Sequence, residues 1–181
     1  NYIITCDKNF TIIEDGAIVF DDKIIEIDTK ENIAKKYTQE IEDLGENSVL
    51  MPGLINAHTH LEFSSNKSTL EYGNFVTWLG SVIKNRETLI ESATDTVIDN
   101  ELDKMIQSGT TTIGAISSYG FDMPSCIKSP INVVYFTEAL GSKADMIDTL
   151  FADFKAKLKT ATQNKSSKFI PAVAIHSPYS T

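Results

Sequence analysis

The chain has 181 residues, 41% hydrophobic and 23% charged, with 16 Lys and Arg against 25 Asp and Glu and a net charge of −9. That apolar share is enough for a sizeable core and excludes a disordered, collagen-like or low-complexity chain. The acidic balance, without a Lys/Arg cluster, leaves no electrostatic footprint for nucleic acid or an anionic membrane surface, and no apolar run approaches the ~18 residues of a membrane span. Asn1 to Asp7 lack the basic start and apolar centre of a signal peptide. Cys6 and Cys126 are far apart with no CxxC, which reads as two thiols in a reducing compartment, a disulfide or metal site being the lesser alternative. The expectation is a soluble cytoplasmic globular protein with neither a nucleic acid nor a membrane partner.

Tyr2-Ile3-Ile4-Thr5 and Thr11-Ile12-Ile13 are short β-branched runs, and Gly16 to Phe20 and Lys23 to Ile27 flank Asp21-Asp22 as the arms of a hairpin do. Residues 1–28 therefore predict a small antiparallel sheet, followed by one or two solvated helical turns over Glu31 to Tyr37. So few short strands bury little alone, so this sheet is expected to pack against something else.

From Val49 the pattern changes. Val49 to His58 is a mostly apolar run punctuated by Pro52-Gly53, the signature of a strand in a buried parallel sheet. Trp78, the only Trp, shares helical spacing with Val82 and is expected in the core or a pocket wall. Ile90, Ala93, Val97, Ile98, Leu102, Met105 and Ile106 fall on one helical stripe, and Gly109 follows where a helix end favours positive φ. Thr110 to Ile116, Ile131 to Thr137 and Phe169 to His176 read as further strands. Met146, Ile147, Leu150, Phe151, Phe154 and Leu158 mark another amphipathic helix, while the link between the second and third strands is short and its helix weak. This alternation predicts βαβ units and a parallel sheet. The expected fold class is α/β: residues 49–181 as the first four or so βα units of a (β/α)8 TIM barrel, preceded by a small antiparallel β domain over 1–48. An open four-stranded α/β sheet is the plainer alternative. The helices at 89–107 and 145–161 argue against an all-β cupin.

His58-Thr59-His60 closes the first barrel-type strand. Side chains alternate faces along a strand, so the two imidazoles point the same way and can grip one cation, Zn(II) or Fe(II) by ligand type. His176 ends the fourth strand, and barrel enzymes keep their chemistry at the C-terminal ends of strands. Glu62 shares the pocket face if strand geometry persists beyond His60, and otherwise is a solvated loop carboxylate. Glu138, closing the third strand, is either a pocket residue or a charge at a helix start. GxGxxG, P-loop and GxSxG motifs are absent from the sequence.

Met51 to His60 closely resembles the first-strand signature of the metal-dependent amidohydrolase superfamily. Asp15 to Ile24 resembles its small β domain, and Gly109 to Thr112 its second strand. His176-Ser177-Pro178-Tyr179 resembles the fourth-strand motif of its purine-nucleoside-like deaminases. His60 to Ser64, Tyr72 to Phe75, Trp78 to Val82 and Gly114 to Ser117 are similar to one deaminase family within it, which serves a route to menaquinone. The resemblance implies one divalent metal, Zn(II) first and Fe(II) second, with His58 and His60 as ligands. It places His176, Glu138, Glu62, Ser64 and Trp78 around a 6-aminopurine nucleoside-like substrate, although related deaminases often carry an Arg near Glu138. It implies hydrolytic deamination by metal-activated hydroxide at C6. The family's fifth-strand His and nearby Glu, sixth-strand His and eighth-strand Asp have no match here, so no catalytic acid or base is assigned within residues 1–181. The expectation is the N-terminal piece of a protein of roughly 400 residues, inactive alone and either poorly stable by itself or associating with the missing half or a second copy. The alternatives are another amidohydrolase reaction (on adenosine, methylthioadenosine, guanine, cytosine or a cyclic amide) and a non-catalytic scaffold on the same fold.

Overall fold

The computed structural model describes residues 1–141 and 143–178; Tyr179 of the fourth-strand motif lies outside them. The chain divides into two compact units, Asn1–Pro52 and Gly53–Thr181.

In the first unit, β1 (Tyr2–Ile4) pairs antiparallel with β2 (Ile12–Glu14), and β3 (Gly16–Phe20) forms a hairpin with β4 (Ile24–Thr29). The single sheet expected over 1–28 is thus two. A further strand, β5 (Val49–Leu50), runs parallel to β1 on its free edge. Helix α1 (Lys30–Lys36) starts at Thr29, whose hydroxyl accepts from the Asn32 N–H at 3.3 Å, capping an orphan donor. Ile3 and Ile33 are buried, whereas Phe10, Phe20, Ile12, Ile24 and Ile25 are exposed.

The second unit carries a four-stranded parallel sheet: β6 (Leu54–Thr59), β7 (Thr110–Ser117), β8 (Asn132–Ala139) and β9 (Phe169–Ile175). The strands lie side by side in chain order. Each new strand is added on the same side of the last, as in a barrel, with no reversal of order as in a doubly wound sheet. The run Val49 to His58, expected as one strand, is interrupted. Pro52 has no N–H for a ladder, so Val49-Leu50 joins the small sheet while pairing resumes at Leu54, whose N–H donates to the Gly109 carbonyl at 2.8 Å.

Helices α2 (Phe75–Ser92) and α3 (Asp95–Gln107) follow β6, α4 (Met123–Lys128) follows β7, and α5 (Ile147–Gln163) precedes β9. The stripe expected as one helix over 89–107 is broken at Ala93-Thr94. Ala93 leaves helical geometry at ψ 64° and Thr94 becomes extended before α3 begins. Gly109, at φ 88°, ends α3 as its sequence context predicts. Leu61, Ile98, Leu102, Ile113, Tyr135 and Phe169 form the heart of the core, with the Tyr135 and Phe169 rings 5.2 Å apart. β7 is buried on both faces from Ile113 to Ser117, the environment that its continuous apolar sequence requires. Among the described residues no helix is long and apolar enough to cross a membrane.

Candidate active site

Parallel strands in register bring their C-terminal ends together. Thr59 lies opposite Ala115, Ser117 opposite Thr137, and Ala139 opposite Ile175. His58 and His60, the loop after Ser117, Glu138 and His176 therefore share one end of the sheet.

His58 and His60 meet at their Nε2 atoms, 3.1 Å apart. Two nitrogens bound to one tetrahedral zinc at ordinary bond lengths would be about 3.3 Å apart, so the pair fits a shared cation. Among the described residues no group of three or more His, Cys, Asp or Glu is arranged to hold a metal. The geometry of β6 contributes. Between Asn56–Ile113 and Thr59–Ala115 the register slips, so that Ala57 and His58 both face Gly114. A shift of this kind re-aims a side chain at the end of a strand. Burial holds the His60 imidazole below its usual pKa; the Glu138 carboxylate opposes this, while His58 and His176 add to it. All three residues are thus within electrostatic reach of His60.

Glu138 is only 7% exposed, and its Oε2 accepts a hydrogen bond from the Ser118 hydroxyl. The His176 N–H donates to the Ala139 carbonyl at 3.0 Å, fixing the end of β9 beside that of β8.

Glu62 departs most from expectation. Strand geometry does not persist beyond His60: Leu61–Phe63 is a single 3-10 turn. Leu61 enters the core, and Glu62 is completely buried. Its Oε1 accepts from the Ser117 hydroxyl (2.9 Å), the Tyr119 N–H (2.7 Å) and the Gly120 N–H (2.8 Å), and its Oε2 from the Ser118 N–H (2.9 Å). It is not a solvated loop carboxylate; it pins the loop after β7. Beside it, Asp122 Oδ1 lies 2.7 Å from both the Ser117 hydroxyl and the Tyr135 hydroxyl. Burial, then the Asp122 carboxylate, push Glu62 up to about 7, and burial raises Asp122 as well. Glu62 faces four donors, whereas Asp122 Oδ2 is buried with no hydrogen-bond partner among the described residues. Burial of two carboxyls beside one serine favours retention of a proton by the pair.

Ser64 closes the 3-10 turn, its hydroxyl donating to the Leu61 carbonyl at 2.6 Å. Trp78 is half-buried in the first turn of α2, its ring centroid 5.9 Å from that of Phe75. The structure therefore assembles His58, His60, Glu138 and His176, turns Glu62 inward, and gives Ser64 and Trp78 local contacts. Sequence reasoning missed Ser118, Asp122 and Tyr135. The polar run Ser117-Ser118-Tyr119-Gly120 at the end of an otherwise buried strand was the available signal.

The chain belongs to the amidohydrolase family, whose profile matches residues 49–181. Among its relatives, the aminodeoxyfutalosine deaminase of Nitratiruptor sp. is 49% identical over 170 residues, 94% of this chain and 42% of that protein. A Helicobacter pylori adenosine deaminase is 39% identical over 178 residues, 98% of this chain and 43% of that protein. The crystal structure of H. pylori aminofutalosine deaminase in complex with methylthio-coformycin superposes with a TM-score of 0.91 at 38% identity, covering 99% of this chain and 43% of that one. The chain thus spans a little over two-fifths of the length of these relatives, and its sheet is the corresponding part of a TIM-barrel amidohydrolase. The narrower resemblance seen in its short motifs points to the same aminofutalosine deaminases.

Proposed function

We propose that this chain, with the remaining strands of its barrel, forms a hydrolytic deaminase of a 6-aminopurine nucleoside, converting aminodeoxyfutalosine to the 6-oxo product, futalosine, for menaquinone biosynthesis in the cytoplasm. The observation that carries the reading is the convergence of His58 and His60 with Glu138 and His176 at the C-terminal ends of consecutive parallel strands. The likeness to aminodeoxyfutalosine deaminase supports the choice of substrate.

His58 and His60 would hold one side of a divalent cation, zinc first and iron second, which when bound supplies Lewis acidity toward water and toward the developing charge at C6. His60 is less exposed than His58, and burial holds its imidazole below its usual pKa, which favours the neutral form that a metal ligand requires. Glu138 offers a carboxylate held in one orientation, suited to accept from a purine N–H or a ribose hydroxyl. His176 offers an imidazole from the neighbouring strand end to the same substrate. Glu62 serves these groups indirectly by fixing the Ser117–Gly120 loop. The proton carriers of the reaction belong to the strands that complete the barrel.

The test is a substrate panel on the whole protein: aminodeoxyfutalosine, methylthioadenosine, adenosine, guanine and cytosine, followed by the ultraviolet change as a 6-amino group becomes 6-oxo. The highest kcat/KM is expected for aminodeoxyfutalosine. His58→Ala should remove both bound metal and turnover; deamination that survives this substitution refutes the reading. A higher kcat/KM for methylthioadenosine or adenosine would keep the reaction and replace the substrate.

A further inference from the structure

We infer that Ser118 is a positioning residue for the Glu138 carboxylate, held in place by the buried cluster of Glu62, Ser117, Asp122 and Tyr135. This rests on the proposal that Glu138 contacts the substrate.

Ser118 is anchored through all three of its polar groups. Its N–H donates to Glu62 Oε2 at 2.9 Å, its carbonyl accepts from Lys157 Nζ at 2.8 Å, and its hydroxyl donates to Glu138 Oε2. The first two bonds fix the backbone, so the third fixes a direction for the carboxylate. Ser118 follows the last residue of β7, where a loop would ordinarily be mobile. Here Glu62 gathers four donors from consecutive residues 117–120. Glu62 is itself held by Ser117, which meets Asp122 Oδ1 and the Tyr135 hydroxyl at 2.7 Å. Tyr135 stands on β8, three residues before Glu138. The cluster therefore ties three strand ends together: Glu62 three residues past the end of β6, Ser118 just past β7, and Glu138 on β8. Hydrogen bonds among buried groups, rather than loop packing alone, set the distance from the His58–His60 pair to the Glu138 carboxylate. A carboxylate held in one direction before substrate arrives pays no ordering cost on binding. Loss of that restraint appears in KM.

The experiment uses the metal-loaded whole protein with aminodeoxyfutalosine as the probe and compares Ser118→Ala, Ser118→Thr, Glu138→Gln and the double variant Ser118→Ala/Glu138→Gln. Losing one hydrogen bond to a charged group should raise KM about tenfold in Ser118→Ala, with metal content and thermal midpoint unchanged. Ser118→Thr, which keeps the hydroxyl, should restore most of the loss. In the Glu138→Gln background the Ser118→Ala change should add nothing. If Ser118→Ala lowers the thermal midpoint, Glu62→Gln replaces it: the same rise in KM is expected, again absent in the Glu138→Gln background. Wild-type KM in Ser118→Ala, or effects that multiply in the double variant, would overturn the inference while leaving Glu138 as a substrate contact. Wild-type kinetics in Glu138→Gln would overturn that contact and the inference with it.

Discussion

Gly114 tests how tightly the site depends on the sheet beneath it. A Cβ at this position would lie 2.3 Å from the Ala57 carbonyl oxygen and 2.9 Å from its carbon. Both atoms belong to β6, so the strand would have to retreat by about 1 Å to reach ordinary contact. Parallel strands about 4.8 Å apart cannot absorb that without losing ladder bonds. Overpacking costs about 1–3 kcal/mol and two weakened ladder bonds about 1 kcal/mol each, so Gly114→Ala should destabilise by about 3–5 kcal/mol. For a unit of this size that is a fall in thermal midpoint of about 12 °C. Gly80→Ala is the control: Gly80 lies within α2 with nothing near its virtual Cβ, so alanine there should stabilise by about 0.5–1 kcal/mol. Thermal unfolding followed by circular dichroism measures both. Zinc or cobalt titration follows the His58–His60 pair, which sits on the displaced strand and should bind more weakly in Gly114→Ala. A Gly114→Ala midpoint equal to or above that of the parent would refute the steric reasoning.

Three further outcomes are expected. Glu62 and Asp122 both hold protons above their ordinary range, so the folded chain keeps a proton that the unfolded chain releases. The stability this contributes is complete at low pH and is lost as pH rises through about 7. The thermal midpoint should therefore fall from about pH 5 to about pH 8, and Asp122→Asn should flatten that slope; an unchanged slope would place the proton elsewhere. The isolated 181-residue chain should show no deamination and only weak metal binding, since two imidazoles are fewer than the three protein ligands of a catalytic zinc; turnover by the purified chain would contradict this. Cys6 is exposed, whereas burial raises the Cys126 thiol well above its usual value. A thiol reagent should modify Cys6 in the native chain and Cys126 only after unfolding.

The parallel strands were legible in the sequence because each is a continuous apolar run between turn residues, and the histidine pair because its spacing matches the strand period. What was not legible depended on non-local pairing. The break at Pro52-Gly53 shows that an apolar run does not reveal which sheet it serves: Val49-Leu50 is as β-prone as Leu54-Ile55 but pairs with Tyr2-Ile3. Glu62 was misread because period-2 reasoning was carried past the end of the strand at Thr59, into a 3-10 turn that rotates its side chain inward. The shared proton could not be inferred either, since Glu62, Ser117, Asp122 and Tyr135 meet only after three βα units have wound beside one another. Trp78 was legible as helical, but periodicity alone does not say what an indole touches.

The parallel winding also sets an order of assembly. The residues that brace the site, from Glu62 to Tyr135, and the carboxylate at Glu138 all precede β9 in the chain. During synthesis from the N-terminus, the strand that leads into His58 and His60, the Glu62 carboxylate and the loop it grips are all available before β9 is made. The half of the pocket that must be rigid is in this way the half that a growing polypeptide completes first, and later strands meet a template whose spacing is already set.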